Sequence, residues 1–221
     1  MARTDPAGEI GVVVRYETSV TSEQYVTEQA WRTATLERCP MHPEGGCGVV
    51  GHGSYPRVRP AGIRVARMLC PKARVTISLL PDFLASGLSG TLAEVEGVVD
   101  AAEGAPSREA AVEEVRPATV ANAVTLPSGL RWLRRRLAAV HAALLAAVTL
   151  VPALSECPAT LVAVRKRLGV SEALIALRSA AATHLVAIPA PVGIRARART
   201  RRALREQTPH ETGPDPPRRG R

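Results

Sequence analysis

The chain has 221 residues, 46% of them hydrophobic but only 3% aromatic, and a formal net charge of +9. A core made mostly of Ala, Val and Leu buries little area per side chain, which excludes an aromatic-rich β-sandwich and favours packed helices. Nearly all the positive charge is arginine, with Lys72 and Lys166 the only lysines, and such an excess points to a polyanionic partner, nucleic acid above all. A GC-rich genome would leave the same Arg-Ala-Val-Pro bias with no partner at all.

The first ten residues, MARTDPAGEI, lack a basic stretch followed by an apolar run. The longest apolar segment, residues 137–154, is interrupted by His141, Thr149 and Pro152. Neither a signal peptide nor a membrane span is expected, so the reading is a cytoplasmic protein with reduced thiols. In that setting four cysteines point to metal rather than to disulfides.

Residues 1–36 are read as an N-terminal extension, either variable or a poorly ordered arm. A turn at Asp5-Pro6-Ala7-Gly8 leads into a short strand over 10–16, and Tyr25, Val26 and Trp31 carry a weak helical spacing.

Residues 37–84 read as a small metal-stapled β module. Cys39-Pro40-Met41-His42 sets two ligands three positions apart, the spacing of a zinc knuckle. Glycines around Cys47 free the backbone to wrap an ion. Strands are expected over 49–59, 63–69 and 76–80, with Ile63, Val65, Arg67 and Leu69 on one face of the second. Cys70-Pro71 opens a second knuckle, but the positions for its partner hold Ala73 and Arg74. Two outcomes stay open. Zinc is held by Cys39, His42, Cys47 and Cys70, three of them from the first loop, or the site has lost a ligand. His52 is a further candidate, or a polar turn residue.

The order Cys-Pro, then His52-Gly53-x-Tyr55-x-Arg57, then a basic strand into Cys-Pro, then Thr76-x-Ser78-Leu79-Leu80-Pro81-Asp82 resembles the zinc-ribbon segment of bacterial transposase-like proteins. The resemblance covers residues 39–84 and continues more loosely to about His184. It implies a zinc ribbon followed by a helix-turn-helix that recognises DNA. In that family the second knuckle usually keeps a Cys or His, and Ala73 and Arg74 depart from it.

Residues 89–187 are read as a helical domain. Thr91-Leu92-Ala93-Glu94 is a capping box, so a helix runs to about Glu103. Ser107 caps a second, over 108–116. Pro127-Ser128 opens a third, over 129–149, with Leu130, Leu133, Leu137, Val140 and Leu144 as its buried stripe. Arg131, Arg134, Arg135 and Arg136 occupy mostly other faces. A basic third helix fits a helix-turn-helix that docks in the major groove, and the resemblance points the same way for residues 104–140. The connection from Pro117 to Pro127 is long for such a motif. Two more helices follow, over 160–168, stopped by Gly169, and from Ser171 to about Val186. His184 is read as a packed helix residue and Cys157 as a loop residue. Residues 189–221 hold few apolar side chains; over 191–221 nine arginines face three acids, and this tail is expected to be disordered.

There is no Gly-rich phosphate loop and no G-x-S-x-G. A transposase active site needs spaced carboxylates on an α/β sheet, whereas Glu94, Glu96, Asp100, Glu113 and Glu114 are expected on helix surfaces. The expected fold is thus α+β, a β module followed by a helical bundle, with no catalytic domain of its own. The expected function is binding of double-stranded DNA through Arg131 and Arg134–Arg136, helped by Arg57, Arg59, Arg64, Arg67 and the tail, with any catalysis supplied by a separate transposase chain. The alternatives are a protein-interaction module and a decayed mobile-element fragment.

Overall fold

The computed structural model describes residues 11–115 and 126–194. The turn at Asp5–Gly8, most of the connection from Pro117 to Pro127 and the tail beyond residue 194 lie outside the described residues. Within them the fold is α+β.

Four strands make one mixed sheet in the order β1-β4-β3-β2: β1 (Gly11–Tyr16), β2 (Val50–Pro56), β3 (Arg64–Cys70) and β4 (Val75–Pro81). β2, β3 and β4 form an antiparallel meander, and β1 joins parallel to β4, from Gly11 opposite Thr76 to Tyr16 opposite Pro81. From Gly11 onward the N-terminal lead is therefore part of the sheet and not a loose arm. Its helix α1 (Ser22–Thr27) starts on a capping box in which the Gln24 N–H donates to Thr21 Oγ1 (3.2 Å) and the Thr21 N–H to Gln24 Oε1 (3.0 Å). Tyr25 then buries its ring and donates its hydroxyl to the Arg64 carbonyl (3.2 Å).

Both faces of β3 are covered: Val65, Ala66, Met68 and Cys70 are buried, with Arg64, Arg67 and Leu69 half-buried between them. Ile63 and Val65 join a core shared with the helices. Ala66, Met68 and Cys70, on the other face, join Val75, Ile77, Leu79, Ala34, Cys39 and Cys47 in a second cluster. The reason is the segment that holds Ala34, Cys39 and Cys47: it lies over the second face and removes the polar partner that a period-2 pattern needs.

The helices are α2 (Leu92–Gly104), α3 (Arg108–Val115), α4 (Leu126–Leu150), α5 (Leu161–Leu168) and α6 (Ala173–Ala180). The Thr91 capping box is formed, with Glu94 N–H to Thr91 Oγ1 (3.0 Å) and Thr91 N–H to Glu94 Oε2 (2.7 Å). Ser107 accepts from the Ala110 N–H (3.1 Å), and Thr160 caps α5, which ends at Gly169 in the left-handed region (φ +66°). The last helix is shorter than its periodicity predicts, because α6 gives way to a 3-10 turn at Ala182–His184. Leu133, Val140 and Leu144 bury the stripe of α4, with Leu130 and Leu137 half-buried. Among the described residues no helix is long and apolar enough to cross a membrane.

One apolar cluster runs from Tyr25, Val65 and Leu80 through Leu92, Val95 and Val140 to Leu161, Leu174, Leu177 and Val192. It crosses the expected boundary at residues 84–89, so the β module and the helices share a core. The core also runs past residue 189, where the tail was expected to start. Val192 and Ile194 are buried, and residues 189–194 form a strap held by Arg178. That guanidinium is 0% exposed; its Nε donates to the Val192 carbonyl (2.9 Å), Nη2 to Pro191 (2.6 Å) and Nη1 to Asp82 (2.8 Å) and Leu84 (2.6 Å). Burial pushes its pKa down to about 10. Beside it Arg15 forks onto Asp82 (2.7 and 2.9 Å), a hydrogen-bonded pairing that raises the Arg15 pKa.

Candidate metal centre and arginine surface

The first loop and the end of β3 bring four potential metal ligands together. The Sγ atoms of Cys39, Cys47 and Cys70 and a ring nitrogen of His42 all lie within 4.8 Å of one another. His42 Nδ1 is 3.4 Å from Cys70 Sγ and 3.8 Å from Cys39 Sγ. A tetrahedral zinc with bonds of about 2.3 Å to sulfur and about 2.0 Å to nitrogen requires ligand-to-ligand edges of about 3.5–3.8 Å. The two distances from His42 fall at about that edge. The set is compatible with a bound metal ion, and three thiols with one imidazole is the donor chemistry that suits zinc.

Local backbone explains the assembly. The His42 N–H closes a tight turn on the Cys39 carbonyl (3.0 Å), and the Gly45 N–H closes the next on His42 (2.9 Å). Gly45, Gly46 and Gly48 then take positive φ, which carries the chain back so that Cys47 faces Cys39. The second knuckle keeps its turn without its second ligand: the Ala73 N–H donates to Cys70 Sγ (3.4 Å) and Arg74 sits at φ +52°. The fourth donor comes from Cys47 instead. His52 is exposed on β2 and stands outside the cluster.

The three cysteines are free and buried, and His42 is half-buried. Burial, and after it hydrogen bonds with Cys39 and Cys70, push the Cys47 thiol up. At Cys70 burial acts the same way but is outweighed: the Ala73 N–H, the other two thiols and the Lys72 N–H together draw it down.

The arginines expected to bind DNA divide into two groups. Arg57 donates to the Ala85 (3.0 Å) and Leu88 (2.9 Å) carbonyls, and Arg64 to Ser54 Oγ (2.9 Å) and its carbonyl (3.0 Å). Arg136 is only 7% exposed, donates to the Ser89 carbonyl and Oγ (both 3.0 Å) and lies 4.0 Å over the Trp132 ring. These three hold structure together, and Arg136 is corrected from the outer face of α4 to its inner one. Arg67 is half-buried in β3 with interactions of its own. By contrast Arg59, Arg131, Arg134 and Arg135 are exposed, and none makes a side-chain hydrogen bond or ion pair among the described residues. Arg59 and Arg135 both lie close enough to Arg136 to lower its proton affinity further, after burial has done most of it.

Four functional-looking side chains escape the sequence. Glu96, expected on a helix surface, is 3% exposed and accepts from the Ala173 and Leu174 N–H groups (both 2.8 Å) and from Arg165 Nε (2.8 Å). Asp100 completes that pair, and Arg165, held by both carboxylates, is raised in pKa. Arg178 is the fourth. The one signal for Glu96 is its place beside Val95 and Val99 on the buried side of α2. No protein-family profile, curated protein or solved structure matches this chain.

Proposed function

We propose that the chain is a DNA-binding protein of the transposase-recognition kind, with its β module stapled by one zinc ion at Cys39, His42, Cys47 and Cys70. The observation that carries the reading is the set Arg59, Arg131, Arg134 and Arg135, unpaired among the described residues. Arg57, Arg64, Arg136, Arg165 and Arg178 are engaged inside the fold, whereas these four guanidinium groups are left open to a partner. Positions 131, 134 and 135 share one helix face, so their guanidinium groups run along a single exposed stripe. Arg59, at the tip after β2, reaches the same neighbourhood from a second element.

In this reading α2, α3 and α4 act as a helix-turn-helix, and α4 lies along the major groove. Its arginines bind phosphates and guanine edges. The zinc is structural, since four protein donors leave no open position for chemistry. The buried or paired acids support a chain without its own active site. Glu94 caps a helix, Asp82 holds Arg15, and Glu96 with Asp100 holds Arg165. Strand transfer would then fall to a separate transposase chain.

The test is duplex binding by fluorescence anisotropy across a salt series. Replacing Arg131, Arg134 and Arg135 together with Ala should weaken binding and lower the salt slope by about 0.9 for each phosphate no longer neutralised. Unchanged affinity and slope would refute the reading.

A further inference from the structure

A second basic site lies away from α4. A cleft of about 560 Å³ opens between the 3-10 turn Ala30–Arg32 and the edge strand β2, with β3 as its floor. Its walls include Trp31, Arg32, Ser54, Arg64 and Met68, and among the described residues no carboxylate lines it. The edge strand is bulged there: Gly51 pairs with Met68 and Ser54 with Ala66, so His52 and Gly53 together face Arg67 alone. Such a bulge leaves backbone groups without ladder partners, and Gly53 holds it at φ +77°.

We infer that this cleft takes one unpaired nucleotide of a single strand, with the base on the Trp31 ring and its phosphate on Arg32 and Arg64. The inference rests on the nucleic-acid reading above and names a second site within it. Arg32 is exposed and unpaired among the described residues. Arg64 is aimed by Ser54, which takes Nε and one Nη2 donor and leaves the rest of the fork uncommitted. Trp31 is half-buried, with Tyr25 against it at 5.9 Å, so the indole is a fixed platform rather than a free rotor. Cations without a counter-charge, an indole and a bulged backbone are the elements of a base-stacking, phosphate-holding site. The volume suits a small ligand and is far too small for a duplex.

The chain has two tryptophans, so Trp132→Phe leaves Trp31 as the sole indole emitter. In that background the full chain is titrated with single-stranded oligothymidylate, thymidine monophosphate and inorganic phosphate. Single strand and monophosphate should quench Trp31, and bare phosphate should do so far less. Arg32→Ala should weaken quenching about tenfold or more while circular dichroism stays unchanged, and adding Arg64→Ala should weaken it further. Arg32→Ala alone keeps the test valid if the Arg64 variant loses its fold. No quenching by single strand, equal quenching by bare phosphate, or full quenching in Arg32→Ala would each overturn the inference. Failure here is separable from failure of the duplex reading. The Arg131, Arg134 and Arg135 variant should lose duplex binding yet keep Trp31 quenching, and the Arg32 variant the reverse.

Discussion

Glu96 holds the start of α6 from another helix, and removing it should cost more than an ion pair is worth. Glu172, the residue in the cap position of α6, makes no side-chain bond to the helix, so the Glu96 carboxylate is what meets the Ala173 and Leu174 N–H groups. Leaving two buried N–H groups unmet costs about 1–3 kcal/mol each, and breaking a buried charge pair about 3–5 kcal/mol. These overlap, so Glu96→Ala should cost about 4 kcal/mol in all, a large share of the roughly 5–15 kcal/mol typical of a whole domain. For a chain this long that is a drop of roughly 10 °C in Tm. Glu96→Gln keeps one acceptor but turns an amide donor toward a backbone N–H, and should cost about 2–3 kcal/mol. Arg165→Met strips the buried Glu96 carboxylate of its counter-charge but leaves its two backbone donors, and should cost about 2–3 kcal/mol, below the usual cost of an orphaned buried charge. Urea unfolding followed by far-ultraviolet circular dichroism would compare the three. If Glu96→Ala and Arg165→Met were equal, the carboxylate would matter only as an ion-pair partner and the capping argument would fail.

Structural zinc sites contribute roughly 10–16 kcal/mol, so loss of one ligand in four should remove about 3 kcal/mol. Cys70→Ala is therefore expected to bind zinc at least 100-fold more weakly in competition with a chromophoric chelator, and wild-type affinity in that variant would exclude Cys70 from the ligand set. Gly193→Ala should be among the most damaging single-methyl changes, since the added Cβ would collide with the Ile188 carbonyl oxygen. Its unfolding midpoint should fall together with that of Arg178→Met, which empties the other side of the same strap; an unchanged midpoint in either would refute the lock. Arg135→Ala and Arg136→Ala should part company: the first lowers duplex affinity with stability intact, the second lowers stability by roughly 1–3 kcal/mol through Ser89 and Trp132.

Capping residues made the helix starts readable. Thr91 with Glu94, and Ser107, act where their spacing puts them, because a cap is a local bond between near neighbours. The cluster of Cys39, His42, Cys47 and Cys70 was one of two arrangements open in the sequence, since Cys39 and His42 share a turn; only the folded loop shows Cys47 standing where a second-knuckle ligand would be. What stayed hidden depends on distant chain. Val12, Val13 and Val14 look like an isolated strand until β4 lies beside them. The burial of Arg136 depends on Ser89, and that of Glu96 on the backbone of residues 173 and 174. That the core reaches Val192 and Ile194 rather than stopping near residue 188 follows from Arg178, whose neighbours in sequence say nothing of the carbonyls it meets.

The parallel pairing of β1 with β4 also sets an order of assembly. β1 leaves the ribosome ahead of the other strands, yet its only ladder partner among the described residues is the last strand of the sheet, and Arg15 further reaches Ser179 in α6. Pairings so far apart in sequence form late, because the loop between them must close first. During synthesis a valine-rich, uncharged tripeptide thus waits without a partner, while the β2–β3–β4 meander folds through near neighbours. Such a segment is the part of a nascent chain most open to pairing with another copy, which makes the amino-terminal strand the weak point in production of this protein rather than in its finished fold.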